Sequence, residues 1–121
     1  MKKIKALLAG MFLVGCSGSS STVQKITPQE AKTMIDKGNV VIIDVREKDE
    51  YLQGHIQDSL LIPLSTIQEN NQQLPQKKET LFIYCRSGHR SHKAAIKLIS
   101  MGYEHVYDFG GIIDWPYNIV Q

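Results

Sequence analysis

Two uninterrupted apolar runs limit what this chain can fold into: Val40-Val41-Ile42-Ile43 and Leu81-Phe82-Ile83-Tyr84. Each is too short for a buried helix, and neither alternates with polar residues as a strand with one wet face would. Continuous β-branched and aromatic runs of this length are the mark of strands buried on both faces of a parallel sheet. A parallel sheet in turn demands crossover helices. The segments between and around the runs supply them. Thr27-Pro28-Gln29-Glu30 reads as a capping box with Thr27 at the N-cap, Pro28 at N1 and Glu30 at N3. Ala31, Met34 and Ile35 give that helix an apolar face, and Gly38 ends it. Glu47 to Gln53 reads as a short polar helix closed by Gly54, and Ala94, Ala95, Leu98 and Ile99 recur at helical spacing before Gly102.

Three weaker strands complete the pattern. Lys25-Ile26 reads as a short edge strand, Leu60-Leu61-Ile62 as another stopped by Pro63, and His105 to Phe109 alternates as the last, broken by Gly110-Gly111. Ser65 and Gln68 repeat the cap logic and predict a further helix ending within Asn70 to Pro75. A helical turn is expected over Ile112 to Trp115. The sum is a small α/β domain: a central parallel sheet of about five strands, flanked by helices on both faces.

The 121 residues leave room for one such domain, and not all of them belong to it. Met1-Lys2-Lys3-Ile4-Lys5 is a basic start, and Ala6 to Val14 is an apolar stretch too short to span a bilayer. Leu13-Val14-Gly15-Cys16 then resembles a bacterial lipobox. Residues 1–15 are accordingly expected to be a lipoprotein signal peptide, Cys16 the lipidated residue, and 16–23 a Ser/Gly/Thr-rich tether. The domain proper is expected over 24–121, held at the extracytoplasmic face of a bacterial membrane. Acyl chains at Cys16 would each add about 0.8 kcal/mol per buried methylene.

That division changes the charge. The whole chain is +2, but losing Lys2, Lys3 and Lys5 leaves 11 basic against 12 acidic residues, a net of −1. No basic surplus points to nucleic acid. Positive charge is concentrated locally, at Arg86 and Arg90. The second cysteine, Cys85, is left with no partner if Cys16 carries lipid, in a compartment where thiols normally pair.

Cys85 ends the second apolar run and is followed by Arg86-Ser87-Gly88-His89-Arg90-Ser91, with a helix expected to start near Arg90 or Ser91. Ligand sites in parallel sheets lie at the carboxyl ends of strands, and both Cys85 and Asp44-Val45-Arg46 fall at such ends. Gly88 permits a tight turn in which backbone N–H groups point inward as an anion nest. The helix N-terminus and the two arginines add positive potential. Such surroundings stabilise an anionic sulfur, so Cys85 is the candidate nucleophile. His89 is a possible base by adjacency alone. None of the four histidines has metal-ligand spacing, and no metal or cofactor is expected.

The loop resembles the active-site loop of single-domain rhodaneses, the thiosulfate sulfurtransferase family, through Cys85, Arg86, Gly88, Arg90 and Ser91. Asp44-Val45-Arg46, Glu50, Gly54-His55-Ile56 and Ile62-Pro63 resemble the family's upstream motif. Gly102-Tyr103, Val106, Gly110-Gly111 and Trp115 resemble its C-terminal block. Gln57-Asp58-Ser59 departs from the Pro-Gly-Ala usual after Gly-His-Ile. The resemblance implies a rhodanese-like fold and a ping-pong transfer of sulfane sulfur. The sulfur moves from an anionic donor such as thiosulfate, through a Cys85 persulfide, to cyanide, a thiol or a partner protein's cysteine. It implies that Arg86 to Arg90 cradle the sulfur and that the two arginines steer the donor. Asp44 is expected to brace the loop or Arg90, while Arg46 and His55 are expected to be structural. Two rivals share this pattern. Phosphatases and arsenate reductases place five residues between cysteine and arginine, whereas Cys85 and Arg90 enclose four. A persulfide carrier or redox sensor without turnover needs the same loop.

Overall fold

A computed structural model of the chain describes residues 21–121, so the expected leader and the Cys16 lipidation site lie outside the described residues. The elements run β1 (Gln24–Lys25), α1 (Pro28–Lys37), β2 (Val41–Asp44), α2 (Lys48–Gln53), β3 (Leu60–Leu61), β4 (Thr80–Cys85), α3 (His89–Ser100) and β5 (His105–Gly111). Short 3₁₀ turns follow β3 at Leu64–Thr66 and β5 at Ile112–Asp114. The five strands form one sheet in the order β1-β5-β4-β2-β3, and every pairing is parallel.

Side chains of the central strands leave the sheet alternately, so the two apolar runs feed two cores. On one face Ile43, Leu81, Ile83, Cys85 and Val106 pack with Ala94, Ala95 and Leu98 of α3. On the other, Ile42, Phe82, Tyr84, Phe109 and Trp115 pack with Ala31 of α1. Helices therefore cover both faces, as expected. The capping box of α1 forms as the sequence predicts: the Glu30 N–H donates to the Thr27 hydroxyl at 3.0 Å, and the Thr27 N–H to Glu30 Oε1 at 2.9 Å. These reciprocal bonds satisfy donors that a helix start leaves without partners.

Three local expectations need correction. The chain after Ser65 does not continue as a helix. Its one 3₁₀ turn follows Pro63, and Asn71 donates its side-chain amide to the Thr66 carbonyl at 2.7 Å while its Oδ1 accepts the Gln73 N–H at 2.8 Å. Short polar side chains that bond the local backbone in this way compete with helix formation. Helix α3 begins at His89, earlier than expected, because Gly88 takes the left-handed N-cap position. Gly110-Gly111 does not break β5. The strand runs through both glycines, with a register shift opposite Ile83/Cys85 that brings Gly111 beside Cys85.

Candidate active site

Cys85 occupies the last position of β4, a free thiol on the α3 face of the sheet and 1% exposed. The Gly88 N–H donates to its Sγ at 3.0 Å. That contact closes a turn of three residues, and it requires Gly88 to sit at φ +101°, a region a side chain would disfavour. Helix α3 starts at the next residue. Its first-turn N–H groups have no intrahelical acceptor and give the loop a positive end.

A second layer holds this loop from below. The Ser91 hydroxyl lies 2.8 Å from Asp108 Oδ1, which also accepts the Gly110 N–H at 3.0 Å. Ser91 Oγ is also within 3.1 Å of the Gly88 carbonyl. Asp108 is 1% exposed, and its Oδ2 has no hydrogen-bond partner among the described residues. Lys25 Nζ lies 3.8 Å and His92 Nδ1 4.0 Å from it. Gly111 completes the support. A Cβ there would lie 2.1 Å from the Arg86 carbonyl oxygen and 2.6 Å from Ser87 Cα, so the loop rests directly on the strand backbone. The Ile113 N–H donates to the same Arg86 carbonyl at 3.2 Å.

The two loop arginines differ. Arg90 points both terminal nitrogens at Glu50 of α2, Nη1 to Oε1 at 2.7 Å and Nη2 to Oε2 at 2.9 Å. This fork pulls the Glu50 carboxyl down to about 2, chiefly through the Arg90 hydrogen bonds, and raises the Arg90 guanidinium above its ordinary value. Arg86 is exposed, and its side chain makes no ion pair or hydrogen bond among the described residues. His89 is likewise exposed, and its ring has no hydrogen-bond partner among the described residues.

Asp44 does not brace the loop. Its carboxylate takes the Arg46 backbone N–H at 2.9 Å, Arg46 Nε at 2.9 and 3.0 Å, and Arg46 Nη2 at 2.7 Å. The residue that holds Arg90 is Glu50 instead. Arg46 also donates to the Gly54 carbonyl at 2.7 Å. Burial opposes its charge, but Asp44 outweighs that and holds the guanidinium above its ordinary value. His55 is structural too, stacked on Tyr51 at 3.7 Å and tied through its backbone to Val120. The unusual turn Gln57-Asp58-Ser59 is bound to the other face of β4. The Ile56 N–H donates to the Tyr84 hydroxyl at 3.0 Å, and Ser59 Oγ lies 3.1 Å from it. Burial pushes the Tyr84 phenol upward, so it stays neutral.

Three residues that position the site escape the sequence reading. Glu50 is visible as a motif residue, but nothing in the sequence pairs it with an arginine forty positions away. Asp108 looks like the polar side of an alternating strand, and Gly111 like a strand breaker.

This fold has known counterparts. Residues 27–116 match the family model of the rhodanese-like domain. A sulfurtransferase of Allochromatium vinosum is 36% identical over 70% of this chain and 79% of its own. Thiosulfate sulfurtransferase PspE of Escherichia coli is 40% identical over 60% of this chain and 70% of its own. Among solved structures, a rhodanese-like domain protein of Staphylococcus aureus aligns with TM-score 0.68 at 34% identity, covering 76% of this chain and 90% of its own. An Escherichia coli rhodanese solved with anions aligns with TM-score 0.61 at 36% identity, covering 67% and 96%. The chain belongs to the rhodanese-like domain family, and its relatives include named sulfurtransferases.

Proposed function

We propose that the protein is a thiosulfate sulfurtransferase of the rhodanese type with Cys85 as its nucleophile. In the first half-reaction the Cys85 thiolate attacks the outer sulfur of thiosulfate. A bond forms between Sγ and that sulfur, the S–S bond of thiosulfate breaks, and its electron pair leaves with sulfite. In the second, cyanide or a thiolate takes the outer sulfur of the persulfide and returns Cys85 as thiolate. No other cofactor enters either step; the persulfide sulfur is the only group carried.

The observation that carries this reading is the Gly88 N–H donating to Cys85 Sγ at 3.0 Å within a loop closed after four residues. A backbone donor fixed by turn and helix favours negative charge on sulfur in both the thiolate and the persulfide. The near-complete burial of Cys85 favours attack on a protruding terminal sulfur atom over attack on a hindered centre. Arg90 speaks against phosphate chemistry. An arginine that closes over a phosphate must have its fork free, and here Glu50 holds both ends of it. Arg86 is therefore the arginine proposed to steer the donor, with Arg90 as the clamp that holds the loop to α2.

The test is thiocyanate formation from thiosulfate and cyanide by the full chain purified in detergent, with Cys85→Ser as control. Turnover that the variant lacks is expected. A one-sulfur mass gain on Cys85 without thiocyanate would turn the reading toward a persulfide carrier. Hydrolysis of a phosphotyrosine analogue would sink it.

The membrane anchor belongs to the same proposal. The pattern Leu13-Val14-Gly15-Cys16 supports lipid at Cys16 and a domain on the extracytoplasmic face. Metabolic labelling with palmitate should mark the protein and fail for Cys16→Ala.

A further inference from the structure

The turn Gln57-Asp58-Ser59 departs from the family motif, and the chemistry at Cys85 makes no use of it. Asp58 stands at φ +69°, a left-handed position that disfavours a side chain and that the motif's usual glycine takes without strain. The turn is held firmly: the Ser59 N–H donates to the Ile56 carbonyl at 3.0 Å, and Ile56 and Ser59 both reach the Tyr84 hydroxyl. It brings Asp58 to a cavity of about 610 Å³, within the range of small-molecule sites. The other walls are α1 and the segment from Trp115 to Asn118. Ile56 and Trp115 belong to the core on the face of the sheet opposite Cys85, so this cavity is separate from the loop.

Three charged residues line it: Lys32, Asp36 and Asp58. Lys32 gives its ammonium to both oxygens of Asp36, at 2.9 and 2.7 Å. The Asp58 carboxylate has no ion pair or hydrogen bond among the described residues. The cavity therefore carries one negative charge in excess. Its exposed aromatic is Tyr117, with the Trp115 ring set edge to face against it at 5.0 Å. The Lys32 ammonium lies 5.4 Å from the centre of the Tyr117 ring, so this ring already draws a cation.

We infer that this cavity binds a small quaternary ammonium ion, which takes the place of the Lys32 ammonium over Tyr117 with Asp58 as its counter-ion. The excess charge calls for a cation, and the walls select its kind. An ammonium bearing N–H groups gives up strong hydration that aromatic rings do not replace. A methylated one gives up little, and its methyl groups cover apolar surface at Ile35, Ile56 and Pro116. Lys32 can yield the ring without losing its partner, because Asp36 is 60% exposed and lies one helical turn along α1. Binding is independent of Cys85 and of the sulfurtransferase reading.

Trp115 is the only tryptophan in the chain, so its fluorescence reports on the cavity directly. The full chain in non-ionic detergent is titrated with choline, with ethanolamine as the primary ammonium, and with 3,3-dimethylbutan-1-ol as the uncharged isostere. Calorimetry of the same titrations covers binding that leaves the fluorescence unchanged. Choline is expected to bind at least about fivefold more tightly than either of the others. Tyr117→Leu keeps an apolar side chain at an exposed position. It should weaken choline at least about fivefold and leave the isostere within about twofold. Lys32→Met vacates the ring and frees Asp36, and should tighten choline at least about twofold. An isostere or ethanolamine that bound as tightly as choline would overturn the ligand class. Choline binding unchanged by Tyr117→Leu, or not tightened by Lys32→Met, would overturn the place assigned to it. No saturable signal from choline by either readout would overturn the site.

Discussion

The carboxyl ends of β2 and β4 lie side by side, with Asp44 opposite Tyr84, and each passes from apolar residues to a polar group and an arginine. At the end of β2 every charge is answered. Asp44 is fully buried, Arg46 is 5% exposed, and the two satisfy each other with four contacts, the Gly54 carbonyl taking one more donor. At the end of β4 a buried sulfur has, among the described residues, one backbone donor, and the adjacent arginine is exposed and unpaired among them. One strand end is closed upon itself and the other is open to an anion. The difference separates a motif residue whose charge is spent on the fold from one whose charge is left available, although both look alike in the sequence.

Mutations at the two ends should therefore part company. The largest effect on stability is expected for Asp44→Ala, which strands the buried Arg46 charge. Removing one partner of such a pair costs about 3–5 kcal/mol, readable as a lower urea midpoint. A destabilisation below about 1 kcal/mol would mean that the closed end is not closed. Gly111→Ala comes next, because its Cβ must displace the Arg86 carbonyl. Overpacking of this kind costs roughly 1–3 kcal/mol, and thiocyanate formation per folded molecule should drop with it as the loop shifts.

Asp108→Ala should cost about 1–3 kcal/mol by leaving the Gly110 N–H and the Ser91 hydroxyl without their shared acceptor. Asp108→Asn keeps one acceptor oxygen and should recover most of the activity. An Ala variant with unaltered kinetics would show that the layer under the loop does not position it. Glu50→Gln should cost about 1 kcal/mol at neutral pH, the scale of a partly exposed ion pair. The sign of its pH dependence follows from the lowered carboxyl. A carboxylate with a folded value near 2 contributes fully above its unfolded value, and the contribution fades as pH falls toward 2. The gap between wild type and Glu50→Gln should thus be widest above about pH 5 and close toward pH 2, checked by denaturant titration at each pH. Arg86→Ala is the smallest in stability, within about 0.5 kcal/mol as for other exposed sites, while its KM for an anionic donor should rise. An Arg86 variant that unfolds easily but binds donor normally would reverse the comparison between the two strand ends.

Much of this arrangement is legible along the chain because it depends on near neighbours. The apolar runs, the capping box at Thr27 and Glu30, the helical face of Ala94, Ala95 and Leu98, and the cysteine at a strand end are all local patterns. The failures are instructive in the same terms. Ser65 and Gln68 imitate a capping box, but Asn71 has a better local partner in the Thr66 carbonyl, and the turn wins. Asp44 sits at a strand end, the place from which a side chain could brace the loop. Its nearest cation is two residues away on its own chain, and that proximity decides the pairing.

The sequence by itself determined the class of fold, the cysteine at the end of a buried strand and the short loop that follows it, since these follow from periodicity, turn chemistry and residue count. Tertiary structure decided which charges remain available. The order β1-β5-β4-β2-β3 places β5 on one side of β4 and β2 on the other. Gly111 and Asp108 therefore come under the loop, and Glu50 comes within reach of Arg90. Two arginines four residues apart read identically in one dimension. They differ in availability because a carboxylate forty residues upstream folds back to hold only one of them.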